Sequence, residues 1–290
     1  MGSFTSHCWR SSERAITIIT DPSLPLESTV GCMETVTAAD GTEIAYERHG
    51  EGPPLIALHG SASTGESLQP IVAALAADYT VIVPDRRGRG ASGDDDDYSL
   101  DREVEDLQAI VDAVDGEPVV LAHSFGGLVA VAAAPTLDIR RLILYEPAVT
   151  VGESADPPLS AQVQSVADDG DKVDAMRLFF EAGSGIPDVT AMPWWPEHIN
   201  MDWLNTVIRE LQAVEAFELP ALDFDTPTLL LTGEHGPEHL AAGARAVDDD
   251  HEASRHVELD GIGHLGLLAE PEQVAELVTT FDDDPAAVGQ

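Results

Sequence analysis

A serine stands where an apolar strand pattern gives way to an apolar helix pattern, in the run Val119-Val120-Leu121-Ala122-His123-Ser124-Phe125-Gly126-Gly127. Small residues at 122 and 126 let neighbouring backbones approach a sharp turn, which leaves the hydroxyl above the carboxyl ends of the strands. The spacing is that of a nucleophile elbow, G-x-S-x-G, with Ala122 in place of the first glycine. An alcohol so placed attacks an electrophilic carbon once a base takes its proton, and an imidazole, with an ordinary pKa of about 6.5, suits that task. A second residue is out of keeping with its surroundings. Glu146 interrupts the apolar run 142–149, where an unpaired carboxylate would be costly, so it requires a partner.

These residues need a scaffold, and the chain supplies an alternation of strand and helix patterns. A hairpin over 34–47 turns at Asp40-Gly41, and apolar strands follow at 55–58, 80–83, 119–122, 141–145, 228–231 and 256–259. Helical periodicity appears at 68–77, 100–114, 128–134 and 271–280. Strands this apolar read as parallel and covered on both faces. The alternation breaks over 150–220, where helical patterns at 159–166, 173–180 and 203–217 and the tryptophans Trp194, Trp195 and Trp203 predict an inserted helical cap. Aromatic side chains there are suited either to wall an apolar pocket or to pack the cap onto the core.

Four landmarks in order give the chain a resemblance to the α/β-hydrolase superfamily: Leu58-His59-Gly60-Ser61, Pro84-Asp85-Arg86-Arg87-Gly88-Arg89-Gly90-Ala91-Ser92, the elbow, and Gly261-Ile262-Gly263-His264. The resemblance runs from Glu34 to Thr280. It implies a mostly parallel eight-stranded sheet flanked by helices, with a helical lid after the sixth strand. The expected division is a core over 33–149 and 221–290 and a lid over 150–220. It implies Ser124 as nucleophile, His264 as base, and the backbone N–H groups of Ser61 and Phe125 as the oxyanion hole.

The acid departs from the superfamily's common pattern, in which an aspartate follows the seventh strand at the third place after a glycine. Gly236 occupies that place, in Gly233-Glu234-His235-Gly236-Pro237. Some relatives, many haloalkane dehalogenases among them, carry the acid directly after the sixth strand, where this chain has Glu146. Neighbouring parallel strands lie about 4.8 Å apart, so a carboxylate at that strand end reaches the same histidine. Glu146 is therefore the expected acid and Glu234 the alternative. The implied chemistry is hydrolysis of a small carboxylic ester, thioester or lactone through an acyl-enzyme, with no metal or cofactor. Cofactor-free haloperoxidase, C–C hydrolase or lyase chemistry on the same triad, or ligand binding without catalysis, are the alternatives.

Composition narrows the partners. The 290 residues carry 53 acidic against 14 basic side chains, a formal charge of -39, and Lys172 is the single lysine. That balance argues against binding of nucleic acid through phosphates, and the resemblance implies a small-molecule substrate. Self-repulsion of this size needs screening, and the Debye length shrinks to about 3 Å near 1 M salt, so the composition predicts a salt-rich cytoplasm of haloarchaeal type. The apolar stretch 16–19 is too short for a signal peptide, and the uncharged run 118–137 contains His123, Ser124, Gly126 and Gly127, which argues against a membrane span. The run Gly88-Arg89-Gly90-Ala91-Ser92-Gly93 matches a dinucleotide fingerprint, but Asp94–Asp97 follow where a helix should receive phosphate. Cys8 and Cys32 both precede Met33, and residues 1–32 are expected to be a disordered leader or a misassigned start. Nothing in the sequence sets the oligomeric state.

Overall fold

The computed structural model describes residues 33–152 and 155–288; the leader expectation and both cysteines lie outside the described residues. Eight strands form one sheet: β1 (Glu34–Thr37), β2 (Glu43–His49), β3 (Pro54–Leu58), β4 (Thr80–Pro84), β5 (Val119–His123), β6 (Arg141–Tyr145), β7 (Thr228–Gly233) and β8 (Ser254–Leu259). Their order is β1-β2-β4-β3-β5-β6-β7-β8. The hairpin pairs antiparallel and β2 joins β4 antiparallel, while every pair from β4 to β8 is parallel.

The strand side chains divide by the period of two that the pleat imposes. Leu55, Ala57, Val119, Leu121, Ile143, Leu229 and Leu231 face one side, where α1 (Gln69–Leu75) and α9 (Pro271–Asp283) contribute Ile71, Leu75, Val274, Val278 and Phe281. Ile56, Leu58, Val120, Ala122, Leu142, Leu144 and Leu230 face the other, against α2 (Leu100–Asp112), α3 (Phe125–Ala133) and α7 (Glu238–Asp250). Burial of each such side chain is worth about 1.5–3 kcal/mol, so both faces resist exposure and the strand ends are held rigidly. The helix over 238–250 was not expected from the sequence. Its buried residues, Leu240, Ala241, Gly243, Ala244 and Val247, are mostly small and share the segment with a terminal run of three aspartates, which masks a helical stripe.

Between β6 and β7 the chain forms α4 (Leu159–Asp168), α5 (Lys172–Leu178) and α6 (Leu204–Ala216); a short turn joins the first two, and residues 179–203, with single helical turns at Phe179–Gly183, Val189–Ala191 and Met201–Trp203, join the last two. Val163, Met176, Phe179, Phe180, Val189, Trp194, Leu204, Val207 and Leu211 make a separate apolar cluster. Ala62 and Leu265 join that cluster from the sheet's carboxyl end. Trp194 is thus part of the insertion's own core, packing on Phe180 at 5.4 Å between ring centroids. The remaining short helix, α8 (Gly266–Ala269), follows β8 and precedes α9. Among the described residues no helix is long and apolar enough to cross a membrane.

Candidate active site

The carboxyl ends of β5, β6, β7 and β8 bring together residues that are far apart in sequence. Ser124 follows β5 directly and has φ 54°, ψ −119°, a conformation that costs a non-glycine residue of order 1–3 kcal/mol. The surroundings impose it. Ser124 N–H donates to the Tyr145 carbonyl at 3.0 Å, and the Ser124 carbonyl accepts from Ala148 N–H at 2.9 Å. Gly126 is obligatory for the same reason: a Cβ there would lie 2.6 Å from the His59 carbonyl oxygen and 2.9 Å from that of Leu58. The expected elbow is present, and the requirement for a small residue two places after the serine is backbone crowding.

Glu146 follows β6 in the equivalent position, since Tyr145 pairs with His123 on one side and Leu231 on the other. It also has a positive φ, 43°, and its N–H is held by the Leu231 carbonyl at 2.9 Å. Its side chain is fully buried. Oε1 accepts from Gly233 N–H at 2.9 Å and Oε2 accepts from His264 Nδ1–H at 2.6 Å. Burial pushes the Glu146 carboxyl up, opposed by the Gly233 N–H and by His123 and His239. Burial pushes the His264 imidazole down, and nearby His239 adds to this. His264 is therefore neutral at neutral pH, with its proton on Nδ1 and a lone pair on Nε2. Among the described residues no hydrogen bond joins Ser124 Oγ to His264 Nε2; the imidazole is brought to this strand end through the residue before the serine, His123, whose ring lies 4.6 Å from that of His264.

Glu234, the alternative acid, is exposed, and its carboxylate accepts from Gly261 N–H at 2.8 Å. It supports the backbone of the His264 loop and does not touch the imidazole.

That loop is fixed by two donors the sequence reading did not identify. His123 Nε2–H donates to the His264 carbonyl at 2.8 Å, and Tyr145 Oη–H donates to the Gly263 carbonyl at 2.7 Å. The rings of His123 and His264 lie 4.6 Å apart. Both donors end strands next to one another, so consecutive carbonyls of the loop are gripped from one rigid edge. Strand-end polar residues on apolar strands were the available signal. His239 is exposed in the first turn of α7, where its Nε2–H donates to the Gly183 carbonyl of the insertion at 3.1 Å. His251 is buried against the Thr226 carbonyl.

The residues expected to hold an oxyanion flank the serine. Phe125 opens α3, so its N–H is one of the unpaired donors of a helix N-terminus, at the end that favours negative charge. Ser61 N–H has no protein acceptor among the described residues. A Cβ on Gly60 would lie 2.9 Å from Ser124 Cβ, which measures how closely this loop approaches the serine. Ala62, with φ 51°, is the third non-glycine residue of positive φ among the described residues, and all three border the site.

Comparison with known proteins agrees with this fold. A model described as "Alpha/beta hydrolase family" matches residues 55–277. A solved α/β hydrolase from Sphaerobacter thermophilus is 32% identical, with a TM-score of 0.74 over 86% of this chain and 99% of that one. The 3-hydroxybutyrate-oligomer hydrolase of Cupriavidus necator is 26% identical over 261 residues, 86% of either chain. The non-heme chloroperoxidase CPO-A1 of Kitasatospora aureofaciens is 38% identical over 98 residues, 33% of this chain and 36% of that one. Landmark order, sheet topology and these matches converge: the chain belongs to the alpha/beta hydrolase family.

Proposed function

We propose that the protein is a serine hydrolase that transfers the acyl group of a small carboxylic ester, thioester or lactone to water. The observation that carries this reading is the buried Glu146–His264 hydrogen bond of 2.6 Å beside a serine held in a strained turn. His264 takes the Ser124 proton at Nε2 as Oγ bonds to the carbonyl carbon. Glu146 orients the ring and stabilises the imidazolium that forms. The Ser61 and Phe125 N–H groups receive the developing oxyanion, each worth about 3 kcal/mol of barrier. His264 then returns the proton to the leaving group, and the same sequence with water as nucleophile frees the acid and Ser124.

In this reading residues 150–220 are a lid whose aromatic cluster borders the site through Ala62 and Leu265. The acidic composition supports a salt-rich cytoplasm as the working environment. The local similarity to a chloroperoxidase favours, as a second reading, hydrogen peroxide replacing water at the acyl-enzyme.

The test is fluorophosphonate labelling in molar KCl, followed by p-nitrophenyl acetate turnover, on wild type and Ser124→Ala. Wild type is expected to label and turn over while the variant does neither. Labelling or turnover that survives Ser124→Ala would overturn the proposal, and peroxide-dependent halide oxidation exceeding hydrolysis would select the second reading.

A further inference from the structure

The sequence places Arg86 and Arg89 in a loop rich in charge, and an exposed position would be the ordinary outcome. Both are instead buried, at 2% and 1% exposure, and each finds its carboxylate partner in a distant element. Arg86 Nη1 donates to Glu103 of α2 at 2.9 Å and Nη2 to Glu210 of α6. Arg89 Nη2 donates to the other oxygen of Glu210 at 2.9 Å and lies over the Trp203 ring at 5.4 Å. Tyr98 Oη–H completes the set on Glu103 at 3.1 Å. Two buried cations thus balance two buried anions, and one of the anions, Glu210, comes from the helical insertion.

The same guanidinium reaches the loop before Ser61. Arg86 Nε–H donates to the His59 carbonyl at 3.1 Å and Nη2–H to the Gly60 carbonyl at 3.2 Å. The Gly60 carbonyl receives a second bond, from His59 Nδ1–H at 2.8 Å, while His59 Nε2 accepts from Arg86 N–H at 3.0 Å. The guanidinium carbon also lies 4.7 Å from the centre of the Phe125 ring. The Gly60 carbonyl and the Ser61 N–H belong to one planar trans peptide group, so fixing the oxygen fixes the direction of the N–H on its opposite side. A cation on the oxygen also withdraws electrons from the peptide and strengthens the N–H as a donor.

We infer that Arg86 is a positioning residue that aims and strengthens the Ser61 N–H toward the oxyanion, and that Glu210 makes this setting depend on the docked insertion. The inference rests on the serine-hydrolase reading above. It assigns the three neighbouring arginines different duties. Arg87 pairs with Asp106 and Asp40 and, among the described residues, makes no hydrogen bond to the Ser61 loop, so it serves as the control.

An oxyanion donor discriminates an oxoester from its thionoester, because sulfur accepts hydrogen bonds poorly. The experiment compares kcat/KM for an aryl oxoester and the matching thionoester in molar KCl, for wild type, Arg86→Lys, Glu210→Gln and Asp106→Asn, with circular dichroism verifying each fold. Arg86→Lys keeps the buried charge but loses the fork that spans two carbonyls, so it carries the test even where Glu210→Gln does not fold. The oxo/thiono ratio is expected to fall about tenfold in both of those variants through kcat, with KM nearly unchanged, and to stay at the wild-type value in Asp106→Asn. An unchanged ratio in Arg86→Lys, or an equal fall in Asp106→Asn, would overturn the inference while leaving Ser124-dependent hydrolysis intact. Absence of Ser124-dependent turnover in wild type would overturn both readings together.

Discussion

Glu146 and Gly236 compete for one volume. A Cβ built on Gly236 would overlap Glu146 Oε1 and stand 2.6 Å from Cδ. The place where the superfamily commonly carries its acid is therefore vacant of side chain because another carboxylate, arriving from β6, fills it. The departure seen in sequence at 236 and the buried glutamate at 146 are two sides of one exchange.

The exchange can be run backwards. Glu146→Gln should lower ester turnover by roughly three to four orders of magnitude, as loss of the acid does in serine hydrolases generally. Gly236→Asp alone should also inactivate, by collision. The pair Glu146→Gly with Gly236→Asp should recover at least about tenfold over Glu146→Gln, since glycine accepts the positive φ at 146 and the new carboxylate enters the emptied volume. Glu234→Gln should remain within a few-fold of wild type. Steady-state kinetics on the four variants decide the matter, and a dead Glu234→Gln beside an active Glu146→Gln would transfer the role to Glu234.

The two donors that grip the His264 loop should separate stability from chemistry. Tyr145→Phe removes one of the two donors to the Gly263 carbonyl, which keeps Gly266 N–H at 3.0 Å, at a cost of about 0.5–1.5 kcal/mol. Urea unfolding in constant KCl measures that cost. Turnover should fall in parallel, because the imidazole rides on the loop; full activity in a destabilised Tyr145→Phe would show that the base does not depend on this grip.

Acid should destabilise the protein through its buried histidines. His59, His123 and His264 are all held below the ordinary value of 6.5 by burial, His123 to about 3. Below pH 6.5 the unfolded chain gains protons that the folded one refuses, so stability is lost as pH falls. Glu103, Asp106 and Glu146, whose carboxyls burial pushes up, act in the opposite sense at lower pH. His123→Gln isolates one contribution. Between pH 6 and 4 its unfolding free energy should decline less steeply than wild type by about 1.4 kcal/mol per pH unit, and equal slopes would contradict a neutral buried His123.

Salt should decide whether the fold survives at all. With a formal charge of -39, the chain is expected to lose far-UV circular dichroism in dilute buffer and to regain it in molar KCl. Equal stability in both would remove the inference of a salt-rich environment.

The outcomes follow from the range of the interactions involved. The elbow was legible in sequence because its chemistry is local: an apolar strand, a serine, small neighbours and an apolar helix occupy nine consecutive residues. Glu146 was legible because one carboxylate in an apolar run states its own need for a partner. The parallel sheet was legible from runs buried on both faces. What the tertiary structure alone decided lies in contacts that cross the chain: His123 on the carbonyl of His264, Tyr145 on that of Gly263, Gly236 yielding to Glu146, and Arg86 meeting Glu210 from the insertion. Hydrogen bonds and ion pairs of this kind depend on ångström-scale placement after the sheet has closed, and no periodicity along the chain encodes which strand end will face which loop.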